Sequence, residues 1–144
     1  MFNALNISAS GLAAQRLRMD IISQNIANIN TTRTGEGGPY KRKVTLFMEI
    51  PDQSFSRIFE NTLNRPVLGA GVRVSEVTRD NSPGERVYEP GHPDAGADGY
   101  VETPNVNIIE EMVDMISASR SYEANITALN SSKAMIAKTM EISR

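Results

Sequence analysis

The sequence predicts a mainly α-helical protein, with long N- and C-terminal helices packed as a coiled-coil-like pair and a small β-rich region between them. Apolar residues recur every seven positions near both termini, which is typical of the contact face of a long packed helix. Gly, Pro and strand-forming residues are concentrated between the two periodic segments. We therefore expect an N-terminal axial helix within 1–34, a central β-rich and loop region at 35–104 and a C-terminal axial helix within 105–144.

The N-terminal helix is predicted to run from about Asn3 or Asn6 to Asn28. Further aliphatic residues widen its apolar row into a face that can contact more than one neighbour. Asn, Thr and Gly residues then favour turns and end the helix before Gly35. Four residues form the heptad row: Leu5, Leu12, Met19 and Ile26.

The C-terminal helix is predicted to begin after Pro104. Asn107 can cap the free amides of its first turn, and Glu110 three residues later completes a pattern similar to a capping box. If the helix continues to Ile142, it contains about 35 residues and is roughly 50 Å long.

The C-terminal helix carries the clearest apolar row. The row and its flanking positions comprise Ile108, Met112, Met115, Tyr122, Ile126, Leu129, Ile136 and Met140. Ser119 and Lys133 interrupt this face, which favours an intrachain or hetero-assembly partner over an autonomous parallel dimer. We expect the rows of both terminal helices to form an assembly interface, with Tyr122 at the centre of the better row.

The central region is predicted to contain short strands. Lys43–Ile50 and Gly71–Arg79 are rich in strand-forming residues, and Glu85–Tyr88 can add a third short strand. Asp52–Arg65 has closer to helical spacing, whereas Pro90–Gly99 is too rich in Pro, Gly and Asp for regular structure. A small sheet or hairpin is therefore expected.

Charge and composition exclude several classes of function. The formal net charge is −2 over 144 residues, and the one tight basic cluster, Lys41-Arg42-Lys43, is interpreted as a solvated loop edge. A nucleic-acid binder requires a clustered basic face, so no nucleic-acid partner is expected. No apolar run is long enough to span a membrane, and polar residues interrupt residues 1–22, so we expect neither direct membrane insertion nor a cleavable signal peptide.

Catalytic groups are sparse. The chain has no cysteine, and a Ser-His-Asp triad could use only His92, which is expected to lie in a turn. Glu110, Glu111 and Asp114 could be read as an acid/base group, but acids in the first turn of a helix normally face solvent and interact with the helix dipole. We expect no catalytic residues.

A calcium site is also not expected. Asp94–Gly99 is similar to the opening of an EF-hand loop, but Gly96 occupies the third position and Asn105 the twelfth, where a bidentate Glu is required. The sequence predicts no metal ligands and no cofactor.

Several runs resemble a known family. SASGLAAQ at 8–15 and DIISQNIAN at 20–28, which contains Asn25 and Asn28, resemble the N-terminal signature of axial proteins of the bacterial flagellum, including rod and hook subunits. Central and C-terminal runs are similar, more narrowly, to proximal rod subunits of that family. These runs are 38–42, 87–93, 98–101, 104–112 and 116–125. Residues 52–70 are longer and more apolar than expected from shorter relatives.

The resemblance implies a structural subunit of the proximal rod of the flagellar basal body, with no enzyme activity. It further implies self-association in a helical assembly that transmits torque for motility, beside other rod proteins and the basal-body protein FliE. Export through the flagellar type III apparatus, without a cleaved signal, would place the chain in the periplasmic rod.

Two hypotheses from other classes are kept beside this one. The first is a soluble helical-hairpin adaptor or secretion chaperone, which would be well ordered at both ends in isolation. The second is a small hydrolase that uses His92.

Overall fold

The computed structural model describes residues 2–51 and 70–142. Their elements are α1 (Phe2–Ala27), β1 (Lys43–Glu49), β2 (Val72–Arg79), β3 (Arg86–Tyr88), β4 (Tyr100–Glu102) and α2 (Ile108–Ile142). This order confirms a mainly helical fold with a small β insert. The helical spacing noted at 52–65 lies outside the described residues, as does the unusual segment 52–70 apart from Ala70.

The described chain divides into two compact units. Unit 1 is formed by the described parts of Met1–Leu17, Phe47–Ser75 and Ser119–Arg144. Unit 2 is formed by Arg18–Leu46 and Glu76–Ala118. Each unit therefore includes part of both terminal helices and part of the central region.

The ends of the two helices follow the signals in the sequence. At the start of α2, Asn107 Oδ1 accepts a hydrogen bond from the Ile109 amide at 2.9 Å, which confirms the predicted cap. At the end of α1, the Asn28 amide donates to Gln24 O at 3.1 Å, and the Thr31 amide then donates to Asn28 O in a turn. Local side chain and backbone chemistry thus sets both boundaries.

Strands β1 and β2 form a two-stranded sheet. In unit 2 the Asp80 amide donates to Arg42 O at 2.8 Å, and in unit 1 the Ile50 amide donates to Gly71 O at 2.8 Å. Low residue numbers on one strand are thus opposite high numbers on the other, so the pair is antiparallel. Both predicted strands are confirmed to within one residue at each end.

Strands β3 and β4 form an antiparallel hairpin in unit 2, with Val87 opposite Val101 and Tyr88 opposite Tyr100. The tyrosine rings meet edge to face with centroids 5.2 Å apart, a favourable geometry for aromatic pairs. Gly99 precedes β4 at φ 75°, a backbone conformation that favours glycine. The expected hairpin is present, although its second strand was not assigned from the sequence.

Few large apolar residues are buried in the described chain. The apolar residues with the least exposure are Ala14, Ile21, Ile22, Val101 and Ala118. Two polar side chains, Asn25 and Glu111, are at least as well buried. No helix in the described ranges is both long and apolar enough to cross a membrane.

Candidate functional site: a buried polar network and an exposed apolar face

Asn25 is the centre of a buried polar network in unit 2. Its side chain is only 1% exposed, and Oδ1 accepts hydrogen bonds from the Tyr40 hydroxyl at 2.9 Å and the Lys43 amide at 3.0 Å. Its Nδ2 donates to Lys43 O at 2.9 Å and to Glu111 Oε2 at 3.0 Å. Both acceptor and both donor positions of the amide are therefore used. The network joins the end of α1 to the start of β1 and to the first turn of α2.

Glu111 and Asp114 extend this network with two ion pairs to Arg42. Arg42 Nε donates to Glu111 Oε1 at 2.6 Å, and Arg42 Nη2 donates to Asp114 Oδ2 at 3.3 Å. The other oxygen of Asp114 accepts from Arg18 Nη2 at 2.8 Å. Two guanidinium groups and two carboxylates alternate, so their formal charges cancel. A buried carboxylate requires such pairing, because an isolated charge in the interior is costly.

Burial and the neighbouring charges shift the pKa values of Arg42 and Tyr40. Burial lowers the pKa of Arg42, but the hydrogen bond to Glu111 and the charges of Glu111 and Asp114 outweigh it, so the net shift is upward. Burial raises the pKa of the Tyr40 phenol, and the negative charge of Glu111 raises it further. Arg42 therefore stays charged, and Tyr40 stays a neutral hydrogen-bond donor.

Two expectations from the sequence are wrong here. Arg42 was interpreted as part of a solvated loop edge, and Glu111 as an acid facing solvent, but Arg42 is half-buried and Glu111 is 0% exposed. The backbone explains the position of Arg42, because its amide donates to Asn105 Oδ1 at 2.8 Å and its carbonyl accepts from Asp80. Partners so far apart in the chain give no local sequence signal.

The opposite face of α2 in unit 2 is apolar and exposed. Its members are Ile109, Met112, Val113 and Ile116, which are 70%, 54%, 62% and 53% exposed. At about 100° per residue, Ile109 and Val113 lie about 160° around the helix from Glu111. We call these four residues the apolar face. Only Met112 was predicted as an interface residue, although the i, i+3, i+4, i+7 spacing places all four on one face of a helix.

The remaining predicted interface residues differ in exposure. The N-terminal row is half-buried: Leu5, Leu12, Met19 and Ile26. On α2 the half-buried members are Met115, Tyr122, Leu129 and Ile136. The exposed members are Ile108, Met112, Ile126 and Met140. Part of each of these side chains is therefore accessible in the free chain.

Of the two residues predicted as family motif positions, Asn25 is in the network and Asn28 closes α1. Asn28 Nδ2 donates to Gln24 O at 2.8 Å, and Asn28 Oδ1 accepts from Thr31 Oγ1 at 3.2 Å. The two asparagines therefore have different structural roles. One joins three elements, and the other stabilises the turn that ends a helix.

Unit 1 contains a close approach of the two helices. A Cβ added to Gly11 would lie 3.0 Å from Asn125 Oδ1, and Asn125 Nδ2 is itself bonded to Ser121 O at 2.9 Å. In the same unit, Ser10 Oγ accepts from the Val72 amide at 3.1 Å and so attaches the start of β2 to α1. No packing role was assigned to Gly11 or Ser10 from the sequence, although a glycine in a helical segment is a recognisable signal of close packing.

His92 and Asp94 have structural contacts. His92 Nδ1 accepts from the Asp94 amide at 3.1 Å within a turn, as expected for a turn histidine. Asp94 Oδ2 accepts from Thr32 Oγ1 at 2.8 Å, and Arg33 lies 3.7 Å from its other oxygen. Within 2–51 and 70–142, no group of three or more His, Cys, Asp or Glu residues is arranged to hold a metal ion.

Comparison with known proteins identifies the family. The family model "Flagella basal body rod protein" matches residues 5–33, and "Flagellar basal body rod FlgEFG protein C-terminal" matches residues 97–142. A relative from Bacillus subtilis (strain 168), named flagellar basal-body rod protein FlgC, is 47% identical over 99% of this chain and 98% of its own length.

Two further relatives carry the same name. The FlgC of Borreliella burgdorferi is 47% identical over 99% of this chain and 97% of its own length. That of Salmonella typhimurium is 38% identical over the same shares. This identity covers both terminal helices and the region between them, so the chain belongs to the FlgC family of flagellar basal-body rod proteins.

Proposed function

We propose that this chain is a structural subunit of the flagellar basal-body rod and that it polymerises through exposed apolar surfaces of its terminal helices. Family membership supports the structural role. The observation that carries the mode of assembly is the apolar face, because four large aliphatic side chains on one helix face are left accessible. Contiguous exposed apolar surface on a soluble chain is typical of a protein interaction site.

The apolar face would supply much of the driving force for assembly. Full burial of one such side chain contributes about 1.5–3 kcal/mol relative to exposure. The exposed row members Ile126 and Met140 would add to this when a neighbouring subunit covers them. Part of the gain is offset by the conformational entropy lost when side chains become ordered.

Torque transmission follows from the same arrangement. Interfaces packed at the density of a protein interior deform little, and their stiffness arises from many small dispersion contacts. A rod subunit therefore needs extended complementary surfaces rather than a pocket. We assign the predicted heptad rows, from Leu5 to Ile26 and from Ile108 to Met140, to these surfaces.

The finer features of the role are also proposals supported by the family resemblance. They comprise a position in the proximal, periplasmic part of the rod, contacts with other rod proteins and FliE, and export by the type III apparatus without a cleaved signal. Absence of enzyme activity belongs with them. The FlgC relatives do not favour the adaptor or chaperone alternative.

Substitution of Val113 by glutamate tests the proposal. Val113→Glu places a charge in the apolar face at a side chain that is 62% exposed, so the free chain should fold while neighbouring subunits no longer pack. The matched control is Val87→Glu on β3, the same change at an exposed valine away from this face. Both variants are expressed in a strain lacking this protein, and swimming, purified basal bodies and secreted protein are measured.

We expect Val113→Glu to be produced at normal levels but to yield no rods and no swimming, and Val87→Glu to support both. Normal rods with Val113→Glu would show that the apolar face is not an assembly contact. Measurement of secreted protein separates a defect in export from a defect in incorporation.

A further inference from the structure

In the first part of α2, the side that carries the carboxylates faces the interior of unit 2 and the more apolar side faces outward. Glu111 and Ala118, both 0% exposed, lie on the side that faces the rest of unit 2, whereas Ile109, Val113 and Ile116 face outward. Burial of apolar surface alone favours the opposite rotation, with the aliphatic side chains inward and the carboxylates in water. Some other interaction must therefore determine which face points inward.

We propose that Asn25, Arg42 and Glu111 are positioning residues that fix the rotation of α2 about its axis and so keep the apolar face available to a neighbouring subunit. The use made of that face rests on the proposed function. The rotation itself is a property of the free chain and can be measured without any assembly.

The directions of the hydrogen bonds carry this inference. Glu111 uses one oxygen for Asn25 Nδ2 and the other for Arg42 Nε, so both donors must lie on the same side of the helix. Asp114, three residues later on the same side, bonds Arg42 again and also Arg18. Because Glu111 and Asp114 are both anchored, the helix cannot rotate about a single contact.

The alternative rotation would leave the donors without acceptors. Turning α2 by about half a turn would bring Ile109 and Val113 toward Asn25 and Arg42, because these aliphatic residues lie about 160° from Glu111. Asn25 Nδ2 and Arg42 Nε would then be buried against hydrocarbon, which is costly for a polar group and more so for a charged one. A few directional polar contacts can specify the register of helices in this way.

The donors are themselves held in place by backbone contacts. The side-chain amide of Asn25 is hydrogen-bonded to both the N–H and the carbonyl of Lys43. The backbone N–H of Arg42 donates to Asn105 Oδ1. The Asn25 side-chain amide cannot follow a rotating α2 without breaking these bonds, and the backbone from which the Arg42 side chain extends is fixed as well. The network is therefore a fixed template against which Glu111 sets the helix.

The absence of cysteine from the sequence allows a direct test with single thiol reporters in the full-length chain. Val113→Cys reports the outer face and Ala118→Cys the inner face of α2. Each labelling rate is divided by the rate of the same variant in denaturant, which removes intrinsic differences in reactivity. In the parent chain we expect Cys at 113 to react at least about tenfold faster than Cys at 118, because thiol reactivity depends on exposure.

Two substitutions at one position then separate rotation from simple packing. Glu111→Met removes the polar partner at similar volume and should reduce the labelling ratio at least about fivefold, since the inner face loses its directional contacts. Glu111→Gln keeps a hydrogen-bonding side chain and should leave the ratio close to that of the parent. Adding Ile116→Lys to Glu111→Met should restore the ratio, because a charged outer face cannot turn inward.

The proposal is overturned if the parent ratio is near one, or if Glu111→Met keeps both its helical circular dichroism and the parent ratio. Should Glu111→Met lose its helical signal, the double variant Arg42→Met/Glu111→Met takes its place. This variant removes the cation together with the buried carboxylate, and the same labelling ratio is expected. Loss of helix in that variant as well would make the network a requirement for folding and would also overturn the proposal. A reduced labelling ratio in Glu111→Met together with normal rods in Val113→Glu would instead refute the proposed function. The inference about the rotation of α2 would then remain supported.

Discussion

The side-chain amide of Asn25 pairs with both peptide groups of Lys43, accepting from its N–H at 3.0 Å and donating to its carbonyl at 2.9 Å. This is the pattern with which one strand residue pairs with another, and here a side chain on a helix reproduces it. The pairing occurs at the first residue of β1. A helix side chain therefore determines where the strand begins.

Replacement of Asn25 by alanine should be strongly destabilising. It leaves the Tyr40 hydroxyl, the Lys43 amide and carbonyl and one oxygen of Glu111 without this partner inside unit 2. Each buried unsatisfied group costs about 1–3 kcal/mol. We expect Asn25→Ala to lower the free energy of unfolding by at least about 3 kcal/mol and Asn28→Ala, at a less buried helix end, by about 1 kcal/mol. Urea denaturation of the two variants measures the difference, and equal losses would contradict the central role of Asn25.

The two arginines bound to Asp114 should differ in importance. Arg42→Ala leaves the fully buried Glu111 without its cation, and breaking a buried pair in this way costs about 3–5 kcal/mol. Arg18→Ala removes a pair whose side chains are 27% and 38% exposed, where about 0–1 kcal/mol is typical. Urea midpoints of both variants, measured at the same salt concentration, test this order. A larger loss for Arg18→Ala would show that Asp114, rather than Glu111, anchors the network.

The elements of the fold could be predicted because their signals are local. The cap at Asn107, the turn residues after Asn28 and the β-forming run from Lys43 each act within a few positions. The polar network could not be predicted, because Asn25 and Glu111 are 86 residues apart and neither has an unusual neighbourhood in the sequence. A seven-residue period finds rows along a helix, but the choice of inward face here depends on tertiary hydrogen bonds.

The apolar face illustrates the same limit. The period through Ile108 and Met115 was assigned as the interface row, yet the most exposed aliphatic residues of this segment are Ile109 and Val113. Both patterns fit a helix, and hydrophobicity does not distinguish which one is left more exposed on the free chain. The position of Glu111 decides between them, because its partners lie on other elements.

Alkaline pH should remove the stabilisation that the Tyr40 hydroxyl gives to the folded chain. Burial, together with the charge of Glu111, raises the phenol pKa above its ordinary value of 10.0. The neutral hydroxyl donates a hydrogen bond to Asn25 Oδ1. A group with a raised folded-state pKa stabilises the fold fully below its unfolded pKa and loses that effect as the pH rises through the folded value. Tyr40→Phe should therefore be less stable than the parent by about 1 kcal/mol below pH 10, and the difference should shrink above it. A difference independent of pH would show that folding does not change the pKa of this hydroxyl.

Gly11 and Asn125 should be energetically coupled in unit 1. Alanine is favoured over glycine within a helix by about 1 kcal/mol, but its Cβ at position 11 would lie 3.0 Å from Asn125 Oδ1. Gly11→Ala alone should thus give little or no stabilisation, whereas in an Asn125→Ala background it should stabilise by about 1 kcal/mol. A double-mutant cycle by urea denaturation measures the coupling. Additive effects of the two substitutions would mean that the helices can separate at this point without cost.

Tyr122 distinguishes contacts within the chain from contacts between subunits. Truncation of a fully buried aromatic residue to alanine costs about 3–5 kcal/mol, but Tyr122 is only half-buried in the free chain. Tyr122→Ala should therefore lower the free energy of unfolding of the free chain by clearly less than this range, and yet abolish rods and swimming in a strain lacking the protein. Tyr88→Ala, at a residue 62% exposed on β3, is the control that should still assemble. Full motility with Tyr122→Ala, or loss of the entire 3–5 kcal/mol in the free chain, would place this side chain in the core of the subunit rather than in the assembly interface.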